Sequence, residues 1–196
     1  MTHSAIKDSH YPRKVFHIFA GAAIPSAYYF AILPHAVITC AVLATAAVWV
    51  GLDSLRLRNP SLNERFTRVL RPLLKRREAH TLTGSSYLLG GASIAILLYP
   101  PAVMMTTLFF IAFGDPAAAL AGKRFGRTRF SSGRSLEGSF AMFATCLFIA
   151  RWLGGFTWPV STAGAVVAAV TELYSGKIDD NITVPLLSGA ALVALS

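Results

Sequence analysis

Acidic residues and cysteines are scarce in this chain: nine Asp and Glu and two Cys in 196 residues. Charged residues of both signs reach only 14%, where soluble domains carry about 25%. That shortage argues against an ordinary soluble domain. Cys40 and Cys146 both fall inside apolar runs, without a CxxC or a His/Cys cluster, so neither a disulfide framework nor a zinc site is supported. The chain has no GxxxxGK(S/T) segment, which excludes a P-loop nucleotide site, and no GxGxxG. No Ser/His/Asp arrangement stands out.

Apolar sequence is what the chain has in abundance. Hydrophobic residues make up 54% and the mean hydropathy is +0.55. Several apolar runs approach the ~17–25 residues that cross a bilayer. The expected fold is all-α, a polytopic membrane bundle of about seven transmembrane helices forming one domain over 1–196. The expected spans are 15–33, 36–52, 82–99, 102–121, 138–153, 160–175 and 182–196, the last being short. Residues 1–30 loosely resemble a signal peptide, but the first apolar run reads as one of a series.

Net charge is +9, which in a soluble protein would suggest nucleic acid. Here the basic residues sit between apolar runs. With seven crossings, every one of the 18 Lys and Arg except Arg151 falls on the side of the N-terminus. The positive-inside rule then places the N-terminus in the cytoplasm of an inner-membrane protein. Tyr99, Trp152 and Trp158 fall at the outer boundary. The basic segment 53–80 reads equally well as a solvated loop or as an interfacial amphipathic helix, with Leu62, Phe66, Val69, Leu70, Leu73 and Leu74 near helical spacing.

Carboxylates at membrane depth are costly and mark function by default. Asp115 lies inside the fourth span and Glu172 near the end of the sixth. Glu137 opens the fifth, and Asp179, Asp180 and Asn181 precede the seventh. The topology puts all of them on one side. Asp179 reads as a solvated turn residue. Carboxylates with an Asn suit Mg²⁺, which takes one or two carboxylates together with substrate phosphates. Lys123, Arg124, Arg127, Arg129 and Arg134 are candidates for those phosphates. Arg127 and Arg129 read better as plain positive-inside charge, Lys123 and Arg134 as ligands. Leu82-Thr83-Gly84-Ser85 and Leu136-Glu137-Gly138-Ser139 share Leu-x-Gly-Ser, suggesting two equivalent helix starts whose N-termini favour an anion. Arg13, Lys14 and His17 form R-K-x-x-H, three groups that face one way on a helix.

In this order the motifs resemble the CTP-dependent lipid-alcohol kinases: dolichol kinase, phytol and farnesol kinase, and the yeast-type diacylglycerol kinase. The matching pieces are R-K-x-x-H at Arg13–His17, the segment Thr83–Gly91, G-D-P-A-A-A-L-A-G-K-R-F-G at Gly114–Gly126, S-L-E-G-S at Ser135–Ser139, and Glu172 with Asp180, Asn181 and Pro185. One departure is Arg134, where the family usually has Lys; the charge is kept but the geometry differs. The chain looks like a compact prokaryotic form. The resemblance implies phosphoryl transfer from CTP, with Mg²⁺, to the hydroxyl of a membrane lipid alcohol (a polyprenol, a phytol-like isoprenoid or diacylglycerol). It implies that Asp115, Asp180 and Asn181 hold the metal. Lys123 and Arg134 would neutralise the phosphoryl group, and Glu137 or Glu172 would orient or deprotonate the lipid hydroxyl. Arg13, Lys14, His17, Gly84, Arg124 and Gly138 complete the nucleotide contacts. Two alternatives remain at this stage: CMP transfer to a lipid phosphate, as in phosphatidate cytidylyltransferases, and, ranked below it, a small transporter. The acceptor lipid and the oligomeric state stay open.

Overall fold

The chain breaks into helices at its prolines and caps. The computed structural model describes residues 11–130, 132–174 and 178–196, without the side chains of residues 11–14 and 76. It is 81% helical, and no strand occurs among the described residues. Helix α1 spans Tyr11–Tyr29 and α2 spans His35–Arg58. Residue 59 precedes Pro60 and is extended, which stops α2. The same Asn59 side chain accepts the Ser61 and Leu62 N–H groups at 3.1 and 3.3 Å and so starts α3, Pro60–Leu70. A 3₁₀ turn at Arg76–Ala79 leads to α4, Gly84–Leu98, capped by Thr83.

The fourth apolar run is one continuous helix, Pro101–Phe125. It comprises α5 (Pro101–Phe109), a π turn (Phe110–Gly114) and α6 (Asp115–Phe125). Pro116 has no N–H to donate, and the wider turn just before it absorbs the missing bond. The π turn thus sets the direction in which Asp115 leaves the helix. Helix α7 (Leu136–Phe148) also runs into a π turn, Ile149–Leu153. Helix α8 spans Trp158–Tyr174 and α9 spans Asp180–Leu195, with Asp179 as its cap.

Each of the seven expected spans therefore contains a helix. Among the described residues three helices, His35–Arg58, Pro101–Phe125 and Leu136–Leu153, are long and apolar enough to cross a membrane; Gly84–Leu98 and Asp180–Leu195 are shorter apolar helices. The Pro101–Phe125 helix is central: 67% of its apolar window is buried, against 17% for α2. Phe110, Ile111, Met142, Cys146, Val184 and Leu192 form the inner core. Helix α9 packs on α8 and α4, α7 lies between α6 and α8, and α1 rests on α5. Large apolar side chains such as Val48, Leu52, Leu97, Phe140 and Phe148 point outward, which suits lipid rather than water. The α7–α8 end carries Trp152 and Trp158, edge to face at 5.5 Å.

The segment 53–80 matches the amphipathic-helix expectation only over Pro60–Leu70. Helix α2 continues through its first six residues, and only Pro60–Leu70 forms the amphipathic helix. Asp53 and Arg56, expected in a solvated or interfacial segment, are instead buried at 2% and 3% exposure. The two Leu-x-Gly-Ser motifs are not equivalent starts either. Thr83 caps α4, whereas Ser135, one residue before the second motif, caps α7.

Candidate active site

One cavity of about 760 Å³ lies where the ends of α4, α6, α7 and α9 meet, beneath α3 and the strap 71–79 that follows it. Its floor is charged and one wall is apolar. Asp115, the first residue of α6, reaches it from the central helix. Glu172 comes from the last turn of α8, Asp180 and Asn181 from the first turn of α9, and Arg134 from the loop before α7. Gly91 makes this convergence possible: a Cβ there would collide with the backbone carbonyl of Asn181. The missing side chain lets α4 close against the start of α9.

Arg134 sits between two carboxylates. One Nη lies 3.0 Å from Asp180 Oδ2 and the other contacts Glu172 Oε1. His17 Nε2 is 4.0 Å from Asp115 Oδ2 and has no hydrogen-bond partner. Asn181 donates its Nδ2 to Asp179 Oδ1 at 2.6 Å, which fixes the amide and leaves its Oδ1 buried without a partner. Asp179 is not a solvated turn residue: its side chain is 6% exposed and also accepts the Asn181 N–H at 3.2 Å. Burial, and then the charge of Asp180, push the Asp179 carboxyl above its ordinary range.

These groups fit a hard divalent cation. Asp115 and Asp180 supply carboxylate oxygen, and the open Asn181 Oδ1 is a third oxygen donor on the same cavity. No group of three or more His, Cys, Asp and Glu with metal-holding geometry occurs among the described residues. The protein therefore offers a partial shell, suited to an ion that completes its coordination with substrate phosphates and water.

The cavity gathers His17, Gly84, Asp115, Lys123, Arg134, Gly138, Glu172, Asp180 and Asn181. Arg13 and Lys14 lie in the first turn of α1, with side chains outside the described part. Two expected residues are elsewhere. Glu137 does not line the cavity; its Oε1 accepts the Arg127 and Thr128 N–H groups at 2.9 and 3.4 Å and pins the basic loop. Arg124 is exposed, with its guanidinium 5.6 Å from the Phe125 ring centre. The two helix N-termini are also engaged internally. Gly84 N–H donates to Glu78 Oε1 at 3.2 Å, and Gly138 N–H donates to Ser135 Oγ at 3.1 Å. A carboxylate thus already occupies the anion position at the start of α4.

Sequence reasoning missed Lys75 and Ser139 as cavity residues, and it set Arg129 aside as plain charge although Arg129 lines the cavity. Lys75 had no usable signal: at helical spacing it falls opposite the apolar stripe of 62–74, and it reaches the cavity because α3 ends at Leu70.

Among curated proteins the chain is similar to the CTP-dependent diacylglycerol kinase 1 of Saccharomyces cerevisiae, 28% identical over 94% of this chain and 72% of the yeast protein. An uncharacterised protein of Rickettsia prowazekii is 28% identical over 89% of this chain and 88% of its own length. A phytol kinase of Synechocystis is 36% identical, over 44% of this chain and 41% of that enzyme. No protein-family profile matches the chain, and no solved structure does.

Proposed function

We propose, from the premise that the chain belongs to the CTP-dependent lipid kinase family, that this membrane protein moves the γ-phosphoryl group of CTP onto the hydroxyl of a membrane lipid. The observation that carries this reading is the cavity itself. It joins an apolar wall to the carboxylates of Glu78, Asp115, Glu172 and Asp180, an open amide oxygen and the cations Lys75, Lys123, Arg129 and Arg134.

Catalysis of phosphoryl transfer is mostly positioning and charge neutralisation. Asp115, Asp180 and Asn181 hold Mg²⁺, which when bound neutralises phosphate oxygens of the nucleotide. Lys123 and Arg134 take the remaining phosphate charge, Arg134 through a planar fork that matches phosphate. Glu172 orients the lipid hydroxyl and accepts its proton. The hydroxyl oxygen forms a bond to the γ-phosphorus, the bond to the β–γ bridging oxygen breaks, and CDP leaves. Glu172 is preferred over Glu137 for this role because only Glu172 lines the cavity. On this reading the N-terminus and the site face the cytoplasm from the inner membrane, within one domain of seven spans, and the bias of Lys and Arg to one side supports it.

The test uses purified protein in detergent with Mg²⁺ and γ-labelled CTP, offered diacylglycerol, phytol, geranylgeraniol and a long polyprenol. Label is expected in a lipid phosphate, with CDP as coproduct, and EDTA stops the transfer. Label entering lipid only from α-labelled CTP and phosphatidate, with pyrophosphate released, would mean cytidylyl transfer instead.

A further inference from the structure

We infer that α3 and the strap after it form the roof of a subsite for the hydrocarbon chain of the acceptor lipid, an inference that rests on the lipid kinase reading. Phe66, Leu70, Leu73 and Leu74 turn into the cavity, where they meet Trp49 and Leu88. Leu62 and Val69 of the same helix point outward, at 47% and 75% exposure. The helix thus has one apolar stripe, whose Phe66–Leu70 edge turns to the cavity and covers the space leading to Asp115 and Glu172, while its Leu62–Val69 edge stays exposed.

The roof is fastened rather than loosely draped. Arg56, rising from the end of α2, donates to Asp53 Oδ1 and Asn63 Oδ1, each at 2.6 Å, and to the Glu78 and Thr81 carbonyls, each at 2.9 Å. Its guanidinium lies 4.5 Å from the Phe66 ring centre. Asn63 Nδ2 donates to the Ala79 carbonyl at 2.8 Å. These bonds tie both ends of the roof to α2 and fix the depth at which Leu70 and Leu74 hang into the cavity. Arg56 is a positioning residue.

The chemistry of the wall selects the occupant. A cytosine is read by hydrogen bonds to its edges, and a pocket for it leaves polar groups ready to pair. Leu70, Leu73, Leu74, Leu88 and Phe66 offer no side-chain donor or acceptor; Trp49 beside them keeps one buried N–H without a hydrogen-bond partner, a single donor that does not match the several groups of a base edge. A hydrocarbon chain asks only for apolar surface, and this wall gives it a continuous one ending at the charged floor. The nucleotide phosphates belong at the opposite side, beside Lys123 and Arg134.

Two measurements test the assignment. Leu70→Trp, which fills the space under the roof, is expected to raise KM for long-chain acceptors about tenfold while KM for CTP stays within about twofold; Val69→Ala, on the outer face, changes neither. A rise in KM for CTP with acceptor KM unchanged would put the nucleobase under the roof and overturn the inference, as would no change in either. The second measurement is independent of turnover. In protein carrying Trp152→Phe and Trp158→Phe, a brominated diacylglycerol is expected to quench Trp49 fluorescence, and unlabelled acceptor to relieve it. Quenching relieved by CTP, or none at all, counts against the subsite. Failed γ-transfer in the unaltered protein, with this quenching intact, would sink the kinase reading and leave the lipid subsite standing.

Discussion

Arg56 pairs with one carboxylate and Arg134 with two at the same end of the bundle, and their surroundings differ in completeness. Arg56 is 3% exposed and its fork reaches two side-chain oxygens and two carbonyls. Its partner Asp53 also accepts the Thr83 N–H at 2.7 Å, the Thr83 hydroxyl at 3.1 Å and the Ser86 hydroxyl. Nothing is left over for a ligand to bind. Arg134 is 25% exposed on its side chain, and around it Asn181 Oδ1 and His17 Nε2 are buried without partners. A buried polar group without a partner costs about 1–3 kcal/mol, and folds retain such groups where a ligand later satisfies them. A saturated network holds structure; an unsaturated one is available for chemistry.

The largest expected effect breaks the open cluster. Asp115→Asn keeps size and hydrogen bonding but removes a negative charge from the floor. Turnover is expected to fall by about 10³-fold or more, with thermal stability and detergent elution unchanged. Radiolabel transfer from CTP, measured beside a thermal melt, checks both halves. Wild-type turnover in this variant would show that the floor carboxylate is structural, and the contrast between the two clusters would fail.

The next effect breaks the closed cluster and should have the opposite profile. Asp53→Ala strips Arg56 of its carboxylate and leaves a buried, uncompensated charge. The expected loss is about 3–5 kcal/mol of stability, read as a lowered melting temperature in detergent. KM for CTP among the molecules that remain folded is unchanged, because no atom of Asp53 lines the cavity. A normal melting temperature with lost CTP affinity would move Asp53 into the site.

The contrast also explains what could be read from the chain. Asp115 was legible because a carboxylate inside an apolar run has few structural excuses, and Glu172, Asp180 and Arg134 followed from motif order. Asp53 and Arg56 were not. They sit where an apolar run meets a basic one, and an Asp-x-x-Arg pair there reads like a solvated salt bridge. Only the fold reveals that α2 continues past residue 52 and that Thr83 and Ser86, some thirty residues on, close over them. Glu137 lies outside the cavity for a related reason. Its position after Ser135 identifies a helix start, but whether its carboxylate turns to the cavity or to the 127–128 backbone depends on how the loop folds back. The amphipathic spacing of 62–74 was visible, while which edge of its apolar stripe meets the cavity depends on the Arg56 fastening.

The smallest effect separates two neighbours that sequence treats alike. Lys123 and Arg124 are adjacent cations in the last turn of α6, where both suit the helix dipole. Successive residues on a helix point about 100° apart, so only one can face the cavity, and it is Lys123. Lys123→Ala is expected to lower kcat/KM for CTP by at least about tenfold, since it removes a charge placed for phosphate. Arg124→Ala should stay within about twofold, the range of an exposed substitution. Steady-state kinetics at varied CTP decides between them. If the two variants fall equally, loop charge acts on the nucleotide through its overall field, and the open cluster depends less on the placement of single groups than its geometry implies.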